Sequence, residues 1–396
     1  MKWASSISTS RTIETCVEET ASAIRNAFED GNIHLTLIFV SPHFKNDYRR
    51  IPDLIRGQID PGVLIGCSGG GIIGGGQEVE ERPAFSMVCA RLPGVNIQPF
   101  YSDAMDLPDQ DTSPRVWREW LGVASESEPD FILLADPFSF RGEEFLQGLD
   151  FAYPKSAKVG GLASGSHVGR GNALYLGDKF HNSGLVGLAL SGNVEMDTIV
   201  AQGCRPIGRP LKITKCEGSF LQELDGKNTF ELLEELIESA NDYDRQLIQT
   251  ALFLGIEMSP LADEPKQGDF LIRNIVGVDR ASGAISIGAF LRAGQLVQFH
   301  LRDKIMSAED LNLLLSKYSA EGKTGQVRGA LLFSCLGRGR LLYGTPNHDS
   351  EMFKDKLGDV PLGGFFCNGE IGPVGNTTYL HGYTSSFGIF RNPAPH

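Results

Sequence analysis

Several signatures are missing from this 396-residue chain, and each absence narrows what it can be. Positive charge is short: 36 Lys and Arg stand against 49 Asp and Glu, a net −13. That balance lacks the electrostatic footprint of a nucleic-acid binder, and an anionic membrane surface would repel it. No apolar run reaches the ~18 residues of a membrane span, and MKWASSISTSRTIETCVEETASAIRNAF has no continuous apolar h-region. No C-x-x-C pair occurs among the seven cysteines, so neither a zinc ribbon nor a thioredoxin-type site is expected. GxxxxGK[ST] and HExxH are absent too, which argues against a P-loop and a zincin site. A cytoplasmic setting is the expectation.

What the chain has in excess is glycine, 47 residues, concentrated in LIGCSGGGIIGGG (64–76). Gly69, Gly71 and Gly74 form a literal G-x-G-x-x-G after the strand-like GVLIGCS. A dinucleotide site would then need a helix opening at the third glycine and an acid about 20 residues on. Here Gly75, Gly76 and QEVEERP follow, a poor helix start, and nothing between Glu81 and Asp103 is acidic. The dinucleotide reading is set aside.

Internal comparison explains the segment better. IGCSGGGIIG (65–74), GGLASGSHVG (160–169) and GGFFCNGEIG (363–372) align on the pairs Gly66/Gly74, Gly161/Gly169 and Gly364/Gly372. Upstream of each lies a hydrophobic run (HLTLIFV, DFILLAD, GALLFSC), then a helical segment, then Pro61, Pro154 or Pro361. Downstream, GNALYL (171–176) matches GNTTYL (375–380). The sequence therefore predicts three strand–helix–strand–glycine turn–strand units.

Other elements follow from periodicity and caps. Ser10 or Thr12 caps a first helix carrying Val17, Ala21, Ile24 and Phe28. A helical stretch is expected near 46–57, and one amphipathic helix over 227–250. Residues 270–303 read as three or four strands, and 307–322 as a helix with Ser307 as N-cap. RPIGRP (205–210) is the predicted boundary between a first part, 1–208, and a second, 209–396. The expected fold class is α/β (mixed α+β): a two-part protein of mixed β-sheets flanked by helices.

The chemistry gathers around the third glycine turn. CLGRGR brings Cys335, Arg338 and Arg340 to the end of a strand, where α/β sheets place ligand loops. FFCNGEIG adds Cys367, Asn368 and Glu370. An arginine forking onto a carboxylate and a glutamate facing an ammonium would suit an amino acid. Cys335 or Cys367 could act as a nucleophile if a base such as His348 or His381 were near, although buried structural cysteines are the plainer expectation.

With these stretches in view, LIGCSGGGIIGGGQEVEERPAFSMVCARLPGV resembles the N-terminal part of a FIST domain. FLIRNIVGVD, GALLFSCLGRGR, HDSEMF, PLGGFFCNGEIGPVG and LHGYTSS resemble its C-terminal part. The resemblance spans roughly 30–390 and implies an intracellular sensory module for small ligands such as amino acids, often fused to a signalling output. Some members are similar to haem-binding nitric oxide sensors, for which His167, His181, His348 and His381 are the candidate axial ligands. No cofactor is otherwise expected. With no kinase, cyclase or F-box segment left over, signalling is expected to pass through a separate protein partner.

Overall fold

The structure is a computed structural model describing residues 1–29, 31–103, 107–124, 128–258 and 268–393. It divides into a larger unit (1–200, 312–380 and 384–396) and a smaller one (201–311 and 381–383). The division is not one of sequential halves: the third repeat folds with the first two, and the smaller unit is inserted before it.

The chain opens with β1 (Lys2–Ser8) and α1 (Ile13–Phe28), whose Thr12 cap accepts from the Thr15 amide. The Ser-rich β1 has no hydrophobic run to mark it in the sequence. The first repeat is β2 (Leu35–Val40), α2 (Ile51–Arg56), β3 (Val63–Ser68), β4 (Gly71–Gly74), β5 (Gln77–Glu80), β6 (Phe85–Arg91) and β7 (Val95–Ser102). After α3 (Pro114–Leu121), the second comprises β8 (Asp130–Ala135), α4 (Gly142–Ala152), β9 (Lys158–Leu162), β10 (Leu174–Leu176), β11 (Lys179–His181), β12 (Leu185–Gly192) and β13 (Glu195–Gln202).

The smaller unit holds β14 (Cys204–Glu217), β15 (Phe220–Leu224), β16 (Lys227–Asn228), α5 (Thr229–Ser239), α6 (Asp242–Ala251), β17 (Leu252–Glu257), β18 (Phe270–Asp279), β19 (Ala284–Ile287) and β20 (Leu296–Arg302). The strand order β14-β20-β17-β18-β19-β15, closed by a β14–β15 pairing, makes a six-stranded barrel filled by Leu211, Leu254, Ile285, Val297 and Phe299 among others. Three sequence expectations change here. RPIGRP, expected as the boundary, lies inside β14, where the register shifts between Ile207 and Leu211 and a bulge tolerates proline, and the chain passes between the units at Val200 and Ala201. The single helix over 227–250 is two, because Asn241 caps a fresh start by accepting from the Asp244 amide. The next helix, α7 (Lys304–Ala320), begins before Ser307, with Asp303 accepting from the Ile305 and Met306 amides.

The third repeat is β21 (Val327–Cys335), α8 (Gly339–Tyr343), α9 (His348–Leu357), β22 (Leu362–Cys367), β23 (Glu370–Val374), β24 (Thr377–His381) and β25 (Thr384–Arg391). The three repeats exchange strands in a cycle. Their sheets run β1-β6-β2-β3-β10-β11, β24-β23-β9-β8-β12-β7 and β13-β25-β21-β22-β4-β5. Each centres on one parallel pair, β2–β3, β8–β9 or β21–β22. Each accepts the hairpin of the next repeat, and an edge strand from outside its own repeat. No repeat completes a sheet alone, so all three must fold together.

The register corrects the sequence alignment by one residue in the second copy. Ile38, Leu133 and Leu332 pair with Gly66, Gly160 and Gly364, so Gly160 rather than Gly161 is the counterpart. A Cβ at these glycines would lie 2.2 Å, 1.8 Å and 1.8 Å from the Ile38, Leu133 and Leu332 carbonyl oxygens, closer than any side chain tolerates. The GNxxYL match is also displaced. Tyr175 pairs with Gly66 on the first strand of its hairpin, whereas Tyr379 lies on the second strand, β24. The second copy carries extra residues between its glycine turn and its hairpin.

Candidate functional site

At or just beyond Ser68, Leu162 and Phe366, two residues past the register set, the chain leaves the sheets, and the three turns meet. The Ser164 amide donates to Ser68 O at 3.1 Å and the Asn368 amide to Leu162 O at 3.0 Å. The third link has a side chain inserted: the Gly70 amide donates to Ser164 Oγ at 2.9 Å, and that hydroxyl donates to Phe366 O. Gly70, Ser164 and Asn368 are thus equivalent members of a closed hydrogen-bonded ring. The LIGCSGGGIIGGG segment is one arc of it, which accounts for glycine there without any phosphate. This face carries the carboxyl ends of all three parallel pairs, the end where α/β sheets hold ligands.

The third copy is the most polar arc. Arg338 follows β21 and is fully buried; its Nε and NH2 donate to the two Asp349 carboxylate oxygens at 2.8 and 3.0 Å. Asp349, in the first turn of α9, also accepts from Ser385 Oγ at 2.5 Å and Ser334 Oγ at 3.3 Å. Burial opposes both charges, but the pairing prevails: Asp349 is held far below the usual carboxylate range and Arg338 is raised. The His348 ring stacks on Tyr343 at 3.4 Å, with Nδ1 3.0 Å from Asp349 Oδ1.

The first repeat's hairpin closes over this cluster. Glu78 and Glu80, two apart on β5, face the same way and reach the starts of both helices of the third repeat. Glu78 Oε1 accepts from the Ser350 amide and hydroxyl, each at 2.7 Å, and its amide donates to Asn347 Oδ1 at 2.8 Å. Glu80 Oε1 accepts from the Arg340 amide at 3.0 Å. Burial and the neighbouring Asp349 charge outweigh the Ser350 hydrogen bonds and push Glu78 up to about 8. Its folded value thus exceeds the unfolded 4.5, and its stabilising contribution is complete below about pH 4.5 and is lost as pH rises toward 8. Glu78→Gln is expected to flatten the stability–pH slope across that interval in denaturation curves; an unchanged slope would place the titration elsewhere.

The sequence-predicted residues divide into two environments. Cys335 is half-buried and Asn368 exposed at the turn face, and the exposed Arg340 lies in α8 beside the Glu80 carboxylate of β5. Arg338, Cys367 and Glu370 are buried, at 0% exposure each. Glu370 Oε2 accepts from the Thr384 amide at 3.1 Å and hydroxyl at 2.9 Å. Thr384 and Ser385 are consecutive on β25 and point to opposite faces, one to Glu370 and the other to Asp349. Arg338 and Glu370 therefore do not converge as a clamp on one amino acid. Asp349, Glu78 and Ser164 join the site without having stood out in the sequence. A buried arginine demands an acid, and HDSEMF holds the nearest one downstream; Glu78 and Ser164 act across repeats, which spacing does not reveal.

The four candidate histidines sit in different surroundings. His348 is engaged by Tyr343 and Asp349, and His181 stacks on Tyr101 at 4.1 Å, with burial and Lys179 lowering its pKa. His381 is buried and belongs to the smaller unit, and His167 is exposed.

Comparison with known proteins settles the family. The FIST N domain model matches residues 34–227 and the FIST C domain model residues 229–373. The chain belongs to the FIST family. An uncharacterized protein of Mycobacterium tuberculosis is 33% identical over 384 residues, covering 97% of this chain and 98% of its own length. One from Mycobacterium bovis is 33% identical over 84% of each chain. An F-box/LRR-repeat protein of Arabidopsis thaliana shares 28% identity over 38% of this chain and 28% of its own. Among solved structures, cyanuric acid hydrolase from A. caulinodans aligns over 99% of this chain and 100% of its own at a TM-score of 0.34 and 8% identity, too distant to bear on function. FIST domains are small-ligand sensor domains in signal transduction. Among the described residues, no helix is long and apolar enough to cross a membrane, and no group of His, Cys, Asp and Glu could hold a metal ion.

Proposed function

We propose that this FIST protein binds a small carboxylate, an amino acid or a similar metabolite, on the turn face of its third sheet, and relays occupancy to a separate signalling partner. The observation that carries this reading is the ring joining the three carboxyl-end turns. It fixes in one place the backbone from which Cys335, Asn368 and the 336–340 loop project. Arg338 holds that loop from below through Asp349, as a positioning residue. The exposed Arg340 and Asn368 are the groups that meet the ligand, arginine by its fork and asparagine by its amide.

Isothermal calorimetry of the full chain against amino acids and small dicarboxylates tests the reading. At least one is expected to give saturable heat, and Arg340→Ala and Asn368→Ala are each expected to weaken it about tenfold, the loss of roughly one charge-assisted hydrogen bond. Silence across the panel, or affinity untouched by both substitutions, would remove the proposal.

A further inference from the structure

The two cysteines of the third repeat end adjacent strands. Cys335 closes β21, Cys367 closes β22, and the two are register partners in a parallel pair. Neighbouring strands lie about 4.8 Å apart, inside the roughly 4.4–6.8 Å Cα spacing that a disulfide accepts. Partners in register project to the same face, here that of Phe333 and Phe365.

Packing alone does not require sulfur at this place. The equivalent pair is Ser41 and Gly69 in the first repeat, and Asp136 and Ala163 in the second, by the same offset from Gly66, Gly160 and Gly364. All seven cysteines of the chain are thiols. Cys16, Cys67, Cys89, Cys204 and Cys367 are buried, whereas Cys216 and Cys335 are half-buried; of these two, Cys335 alone has a cysteine as its register partner and lies near the Arg338 guanidinium. Partial exposure beside a cation is the setting in which cysteines react, and Cys367 is within reach to resolve the product.

We propose that Cys335 and Cys367 form a peroxide-responsive dithiol that closes to a disulfide across the ends of β21 and β22. The Cys335 sulfur attacks one oxygen of a hydroperoxide; the O–O bond breaks, leaving a sulfenic acid, and the other oxygen departs as water or alcohol. The Cys367 sulfur then attacks the sulfenic sulfur. The S–O bond breaks, the S–S bond forms, and the leaving hydroxide takes the Cys367 proton as water. The two thiols together give up two electrons and the peroxide accepts them. Oxidation bears directly on the turn face: the Cys367 carbonyl accepts from the Leu336 amide at 3.0 Å, at the root of the 336–340 loop, and Asn368 of the ring follows it. The inference is independent of which ligand the face takes.

The test uses the full chain, treated with stoichiometric hydrogen peroxide, alkylated and mapped by mass spectrometry. The intact protein is expected to lose the mass of two hydrogens, a Cys335–Cys367 linked peptide to appear, and dithiothreitol to restore the thiols. Cys335→Ser and Cys367→Ala copy residues that the other repeats carry at these positions, so both variants keep the fold. Cys367→Ala is expected to leave a sulfenic acid on Cys335 that dimedone traps, and Cys335→Ser to give neither adduct nor link. A link to Cys67 instead, oxidation of Cys335 to sulfinic acid in the unsubstituted chain, or no change in mass would overturn the proposal.

Discussion

Asp349→Ala is expected to destabilise the larger unit by about 3–5 kcal/mol, because it strands the Arg338 guanidinium in a fully buried site. The size of the effect follows from an asymmetry: a buried ion pair adds little net stability, but removing one member leaves an uncompensated charge. Ser334 and Ser385 lose their common acceptor as well. A loss of that size approaches the whole stability of an ordinary domain, so the variant should unfold early in urea or precipitate. Replacing both partners at once with methionine at 338 and leucine at 349 should recover most of the loss, since no charge then remains buried. A shift of the larger unit's denaturation midpoint worth less than about 1 kcal/mol in Asp349→Ala, the range of an exposed pair, would contradict a buried ion pair at this place.

Gly364→Ala carries the second large effect, again about 3–5 kcal/mol. The added methyl would lie 1.8 Å from the Leu332 carbonyl oxygen, and a sheet backbone, unlike a side-chain tip, has no room to give. Gly160→Ala meets Leu133 in the same way and should behave alike. Gly325→Ala is the control: a methyl there would have nothing within 4 Å, and the expected change is within about 0.5 kcal/mol. Equal tolerance of alanine at 364 and 325 in thermal unfolding would contradict the close strand approach described for the parallel pairs.

These glycines also show how much of the molecule is legible beforehand. Hydrophobic runs, prolines and glycine turns recur locally, so the three repeats and the buried strands β2, β8 and β21 can be read directly. The strand order cannot. Each sheet is completed by a hairpin from another repeat, and nothing near Ile72 or Ile73 says that β22 is their partner. The same non-locality hides the site's inner half: Glu78 meets Ser350 across 272 residues and Ser164 meets Phe366 across 202. Residues at a strand's end or in its turn, such as Cys335 and Asn368, are visible as candidate chemistry. Arg338 is visible too, but its partner is a matter of folding, and the fork expected for a ligand is occupied by Asp349.

Ligand binding at the turn face is open to hydrogen–deuterium exchange of the full chain. The exchange of the protein alone is compared with that in the presence of the tightest binder from the calorimetric panel. Protection is expected to concentrate at 336–340 and 368–369, with smaller effects at 69–71 and 164–166, the other arcs of the same ring. Protection confined to the smaller unit, 201–311, with those four segments unchanged, would contradict it.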